Sequence, residues 1–258
     1  MHSLPSLTTR HLGRTLVYLE EVDSTNNYLK NQTTRLAHGA VALARRQTGG
    51  RGRLGRQWVD TNACALPFSV LLRDWPQRHL TALPFVAGMA VCRGLEALCG
   101  QTFALKWSND VLWERKKICG ILCESRVAGT HTDAIVGIGV NVRHTAEDFQ
   151  SLNLVYATSL FLATVKYFEM STICAAILNE MEPLLDICSE NGFPALREEY
   201  KKRCVNLGRQ VQITRGGTQQ RGVCLDVAED GSLVCDIGGK TVSIFAGEAS
   251  VRGLWDYV

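Results

Sequence analysis

The chain has 258 residues, 46 % of them apolar and 21 % charged, with a formal net charge of +3. That length and apolar content suffice for one large domain, or for a domain with a small appendage. The mild charge excludes an argument for nucleic acid from composition, because the cations gather in one loop and not along a face, and no run reaches the roughly 18 uninterrupted apolar residues of a membrane span. In chain order, Met1 to Arg14 lacks acids and an apolar stretch, so it is not a secretory leader; Arg10, Arg14 and several Ser and Thr leave a short organelle-targeting peptide as the alternative to a cytoplasmic chain. Leu16–Leu19 reads as a strand. Asp23 or Ser24 then caps a helix running to about Leu36, with Tyr28, Leu29 and Leu36 facing inward.

An apolar run, Val41 to Ala44, leads into Arg46-Gln-Thr-Gly-Gly-Arg-Gly-Arg-Leu-Gly-Arg-Gln-Trp58, where Arg45, Arg46, Arg51, Arg53 and Arg56 occur with no acid among them. Glycine lets main-chain N–H groups approach a ligand, and guanidinium forks bind phosphate oxygens bidentately. The loop therefore reads as a clamp for a nucleotide phosphate or an acyl phosphate, against a solvated basic loop as the plainer alternative. Gly50, Gly52 and Gly55 also spell G-x-G-x-x-G, but 55–64 has no helical recurrence of apolar residues, and Asp60-Thr-Asn62 reads as a turn. No Gly-Lys-Ser/Thr follows, so the Walker A pattern is missing as well.

Beyond the loop the pattern predicts a strand over Ala65–Leu72, a helix over Thr81–Leu98 with Pro84 in its first turn, and short strands at Leu105–Trp107 and Val111–Trp113 around Ser108-Asn109-Asp110. Glu114–Lys116 reads as a turn; Lys117–Ser125 and Asp133–Val142 form a β pair across Ala128-Gly129-Thr130. Helices follow at Ser171–Cys188 and Phe193–Cys204. From Gly208 the pattern changes to short alternating strands, 210–214, 220–225, 233–236 and 241–245, a small barrel or meander that needs a larger body to dock on. The chain thus divides into 1–207 and 208–258, with an α+β plan and no βαβ repeat. Ten cysteines without a Cys-x-x-Cys read as reduced core residues.

Lys106-Trp-Ser-Asn-Asp-Val111 and Lys117-Ile-Cys-Gly-Ile-Leu-Cys-Glu124 add a second cation, a carboxylate and an amide to the basic loop. Each has a plain explanation alone, as a strand end or turn former. In order, Asp23-Ser-Thr-Asn26, Gly-Arg-Gly-Arg-x-Gly-Arg-x-Trp, Lys-Trp-x-Asn-Asp, Lys-x-x-Gly-Ile-Leu and Gly137-Ile-Gly-Val-Asn-Val142 closely resemble the biotin protein ligases, over about Val17 to Arg252. The resemblance implies a mixed-sheet catalytic domain like those of class II aminoacyl-tRNA synthetases, followed by an SH3-like barrel. It also implies a short form, without the N-terminal helix-turn-helix domain of longer bacterial members. By motif match, Ser24, Thr25, Asn26, Gln47, Gly50, Arg51, Gly52, Arg53, Lys117 and Gly120 would surround biotin. Arg51, Arg53, Arg56, Trp58, Asn109, Lys117 and Asn141 would surround ATP and the adenylate. Lys117, Arg53 and Asp110 would form the catalytic set, with Asp110 helping to hold magnesium or orienting the reacting groups. Family members usually carry proline where this chain has Ser108, so a looser turn is expected there.

The implied chemistry joins biotin and ATP as biotinyl-AMP and passes biotin to a lysine of a biotin carboxyl carrier domain, with the basic loop as a lid against water. A homodimer through an exposed sheet edge is compatible; no nucleic acid or membrane partner is expected. Two alternatives stand beside it: a lipoate or octanoate ligase or transferase, which would need a long apolar tunnel, and a biotin-binding protein without catalysis.

Overall fold

The computed structural model describes residues 4–60, 62–128, 131–253 and 257. Its main sheet has seven strands: β1 (Leu16–Val22), β2 (Val41–Gln47), β3 (Ala65–Leu72), β4 (Ala104–Lys106), β5 (Asp110–Trp113), β6 (Lys116–Ala128) and β7 (His131–Asn141). They lie in the order β1-β2-β3-β7-β6-β5-β4; β1 and β2 are parallel and the other neighbours antiparallel. The helices are α1 (Thr25–Gln32), α2 (Leu83–Cys99), α3 (Ala146–Ser151), α4 (Leu160–Thr164), α5 (Met170–Asn191) and α6 (Arg197–Arg203).

Side chains alternate across a strand, and here the alternation separates two faces. Val41 and Leu43, Leu66, Phe68, Val70 and Leu72, and Ala134, Val136, Ile138 and Val140 join α2 and α5 in the main core. Ala42, Leu71 and Ile135 turn the other way and pack with Leu29 of α1. The same parity puts Pro67, Ser69, Gly120, Leu122, Gly137 and Gly139 on the α1 face, in two registered rows, Pro67–Gly139–Gly120 and Ser69–Gly137–Leu122. Small residues there leave a hollow beside α1.

With the 3-10 turn before it, α2 is long and apolar enough to cross a membrane by length and composition, yet it is largely buried between α5 and the sheet. Gly94 permits that contact, since a Cβ there would lie 2.9 Å from the backbone of Ile177. The second sheet comprises β8 (Gln210–Arg215), β9 (Thr218–Val227), β10 (Leu233–Ile237), β11 (Lys240–Ile244) and β12 (Ala249–Gly253), in the order β11-β10-β9-β8-β12. Its inner residues, among them Val211, Cys224, Leu233 and Ile244, are continuous with the main core, so it docks as expected. Trp107 Nε1 donates to the Gly231 carbonyl at 2.9 Å across that seam.

Several boundaries differ from the sequence reading. The first helix ends at Gln32 and not at Leu36, the chain continuing as a turn; Leu36 still packs against the small cluster. The single helix expected over Phe193–Cys204 is split by a 3-10 turn, Phe193–Ala195, with Pro194 in it. Lys116 belongs to β6, with Glu114 and Arg115 making the turn at positive φ. Helices α3 and α4 and strand β12 were not anticipated. Thr61, Gly129 and Thr130, within two expected turns, lie outside the described residues.

Residues 4–14 belong to the fold. Leu4 and Leu12 enter the main core. The Glu182 carboxylate of α5 accepts the backbone N–H groups of Arg10, His11 and Leu12 at 2.5, 2.8 and 2.9 Å. Burial alone would raise the pKa of Glu182, but these amides and Arg10 outweigh it and hold the value below the usual carboxylate range. Glu182→Gln is expected to cost about 2 kcal/mol at pH 7, since it leaves part of a charged, amide-bonded cluster unmade. A depressed carboxyl pKa contributes stability above the unfolded value. The difference between variant and wild type should therefore shrink as pH falls below about 4.3 and through the lower folded value. Denaturant melts at several pH values check this.

Candidate active site

At one end of the hollow, α1 begins with three buried polar residues, Ser24, Thr25 and Asn26. Ser24 is the N-cap, yet its side chain makes no capping bond and stays available to the cavity. The Thr25 N–H and hydroxyl both donate to Gln47 Oε1, at 2.8 and 3.1 Å. Ser69 of β3, fully buried, lies 2.7 Å from Thr25 Oγ1 and 2.6 Å from Asn26 Oδ1. Asn26 Nδ2 donates to the Leu122 carbonyl at 3.1 Å and to Glu124 Oε2 at 2.9 Å, which fixes the orientation of its amide. The polar wall is thus bonded into β2, β3 and β6 at once.

The floor is glycine. A Cβ on Gly137 would lie 2.2 Å from Asn26 Oδ1, one on Gly139 2.8 Å from the Trp58 indole, and one on Gly120 3.0 Å from Trp58 and from Lys117. These strands carry glycine where the polar wall and the indole press against the backbone.

At the other end lies a charge cluster. Lys117 Nζ pairs with Asp110 Oδ1 at 2.6 Å. The Lys117 backbone is clasped from outside, its N–H donating to Tyr156 O at 2.7 Å and its carbonyl accepting from Thr158 N at 2.8 Å. Burial would raise the Asp110 pKa, but Lys117 and Lys106 together outweigh it, so the group stays a carboxylate. Lys106 is also buried; burial draws its pKa down to about 8, with Asp110 opposing and Lys117 adding. Tyr257 covers this cluster, its ring 3.5 Å from Lys106 Nζ and its hydroxyl donating to Asp110 Oδ2 at 2.5 Å. Burial, then Asp110, raises the phenol pKa, so it remains a neutral donor.

The basic loop closes the cavity from above. It folds as its own small hairpin, Gly52 N donating to Arg56 O at 2.7 Å and Trp58 N to Gly50 O at 3.0 Å, around a 3-10 turn at Arg53–Gly55. No helix follows the glycines, so the dinucleotide reading fails structurally as well. Arg53 Nη1 reaches Ser108 Oγ and Asn109 Oδ1, the latter at 2.8 Å; Arg53 Nη2 is buried without a hydrogen-bond partner among the described residues. Arg56 reaches Ser250 of β12 at 3.2 Å, so the small sheet supplies a wall.

The cavity brings together Ser24, Thr25, Asn26, Gln47, Arg51, Gly52, Arg53, Arg56, Trp58, Asn109, Asp110, Lys117 and Gly120 of the expected set. Gly50 packs against the Trp58 backbone outside the lining, because a Cβ there would meet the Trp58 carbonyl at 2.5 Å. Asn141 is withdrawn from the phosphate region: its amide donates to Thr158 O at 3.0 Å, behind Lys117. The loop's cations are not free of acids. Arg45 and Arg46 lie on β2 and pair with Glu20 and Glu21 of β1, and Arg51 pairs with Glu124 at 2.6 Å, which turns it toward the Asn26 end and away from the phosphate cluster. Asp110 is engaged by protein groups in this structure: Lys117 and Tyr257 hold its two oxygens, which suits it to orienting Lys117. Lys106, Ser69, Gly137, Gly139 and Tyr257 were not assigned to the site from sequence. The Gly-x-Gly at 137–139 within an apolar strand was the available signal for two of them.

A mixed-sheet α+β domain with a polar pocket, a cation cluster and a glycine-arginine cover defines a domain of the acid-activating, class II synthetase-like kind. A family model described as the biotin/lipoate A/B protein ligase family matches residues 18–141. The biotin acetyl-CoA-carboxylase ligase of Mycobacterium tuberculosis is 33 % identical over 216 residues, 81 % of this chain and 78 % of that protein. That of Paracoccus denitrificans is 31 % identical over 84 % of this chain and 92 % of its own length. The biotin protein ligase of Aquifex aeolicus, solved in complex with biotin and ATP, superimposes with a TM-score of 0.80 at 31 % identity, over 93 % of this chain and 99 % of that one. The chain belongs to the biotin protein ligase family.

Proposed function

We infer that this protein activates biotin with ATP and transfers it to a lysine of a biotin carboxyl carrier domain. The observation that carries the reading is one cavity holding the Ser24–Asn26 wall at one end and the Lys117–Asp110–Lys106 cluster at the other, under a single basic loop. The polar wall offers the donors and acceptors that a ureido ring requires. It also blocks the long apolar tunnel that a lipoyl chain would need.

In the first step the biotin carboxylate attacks the α-phosphorus and pyrophosphate leaves. Lys117, Lys106, Arg56 and the unpartnered amino group of Arg53 offset charge on the phosphoryl oxygens. Asp110 acts as a positioning residue that aims Lys117. Magnesium enters as the counter-ion of the triphosphate, as part of the substrate. In the second step a carrier lysine amine attacks the anhydride carbonyl and AMP departs, leaving an amide. Beyond Leu122, β6 pairs with β7 alone among the described residues, an edge to which a carrier strand or a second copy adds in this reading. Residues 1–207 form the catalytic unit in this reading and 208–258 the accessory one, in a cytoplasmic protein.

Incubation with labelled biotin, MgATP and a carrier domain tests the assignment; label that fails to become amide-linked to the carrier defeats it. Because Lys106 loses its charge near pH 8, nucleotide affinity of the wild type should weaken as pH rises through that value. The dependence should flatten in Lys106→Met, as measured by titration calorimetry.

A further inference from the structure

We propose that Ser108 is a positioning residue which, with Asn109, latches the arginine loop closed through Arg53. The proposal rests on the reading of that loop as the cover over the adenylate. Both Ser108 Oγ and Asn109 Oδ1 accept from Arg53 Nη1. The Asn109 amide is held in place, since its Nδ2 donates to Ile121 O at 3.0 Å while the Asn109 backbone carbonyl accepts from Ile121 N at 2.9 Å. Ser108 is 3 % exposed, so its bond to a cation lies where water competes weakly.

Trp58 anchors the base of the loop on the glycine floor, but little else holds its tip. Its 3-10 turn has no buried residue, Leu54 is 58 % exposed, and a Cβ on Gly55 would meet nothing within 4 Å. Arg51 also contacts Glu124 and Asn27, and Arg56 contacts Ser250, each joining an exposed arginine to a half-buried partner, where solvent on the arginine side screens the pair. The Arg53 contact is the partly buried, charge-assisted one. It engages one amino group of the guanidinium and leaves Nη2 without a partner among the described residues, so a single side chain can hold the closed loop and still meet an anionic oxygen. The Ser108 hydroxyl adds a second acceptor beside Asn109 and so biases the chain toward the closed loop.

Limited trypsin digestion of the ligand-free full chain, read by peptide mass mapping, tests the latch, because Arg51, Arg53 and Arg56 are themselves cleavage sites. Losing one hydrogen bond to a charged group should raise cleavage after Arg53 and Arg56 by about ten-fold in Ser108→Ala. Ser108→Thr, which keeps a hydroxyl, should stay near wild type, and cleavage outside the loop serves as the control for global unfolding. Ser108→Pro removes the same acceptor and should behave as alanine does, so failure of one variant to fold leaves the other to decide. Loop cleavage that ignores residue 108, or that rises equally with threonine, overturns the proposal. Carrier biotinylation assayed in parallel separates the two readings. A chain that never labels the carrier but shows the expected digestion loses the function and keeps the latch; a chain that labels it while digestion is indifferent to residue 108 loses the latch alone.

Discussion

Lys117→Ala should lower biotin-dependent pyrophosphate release by about 10²–10³-fold, the range found on removing a preorganised charge donor from a reacting oxyanion. The lysine cannot easily be replaced by a neighbour. Lys106 is held under Tyr257, and Arg53 has one amino group committed to Ser108 and Asn109. The substitution also leaves Asp110 buried without its 2.6 Å partner, so stability should fall by about 1–3 kcal/mol. Single-turnover release of labelled pyrophosphate, on protein shown to be folded by its melting curve, separates the two effects. A rate near wild type would remove Lys117 from the first step.

Gly137→Ala should abolish useful biotin binding while leaving the fold in place. Its methyl would stand 2.2 Å from Asn26 Oδ1, well inside contact distance, and the amide it displaces is bonded to Ser69, Leu122 and Glu124. Two or three hydrogen bonds at about 1 kcal/mol each, together with the lost shape, predict affinity for biotin reduced by about 10²–10³-fold. Gly137 sits on a strand with β3 on one side and β6 on the other, so the sheet itself should persist. Calorimetric titration with biotin decides the matter; unaltered affinity would place the ligand elsewhere in the cavity.

How far the sequence could be read depended on whether a feature was local. The Gly-Arg loop, the strands around Asn109 and the change of pattern after Gly208 were visible because turn residues and alternation are carried by neighbours in the chain. Helix α3 was missed although Thr145 and Asp148 spell a capping box, because its six residues are too few to show periodicity. What pairs with a charge was not legible. Lys117 and Tyr257 stand on the two oxygens of Asp110, and Glu124, 73 positions from Arg51, stands beside that arginine; neither partnership is written in the local sequence. Asn141 illustrates the same limit: the strand was legible, but not that its amide bonds the segment at Thr158.

The anchoring of residues 10–12 on Glu182 has a consequence for biosynthesis. Leu12 and its acceptor are 170 positions apart, and chains emerge from the ribosome at about 5–20 residues per second. For roughly 10–30 s, then, the leading segment has been translated while its acceptor has not, and Leu4 and Leu12 must wait in water or on a chaperone. A nascent chain stalled before α5 should stay sensitive to protease at its front end, and gain protection there once Glu182 has cleared the exit tunnel.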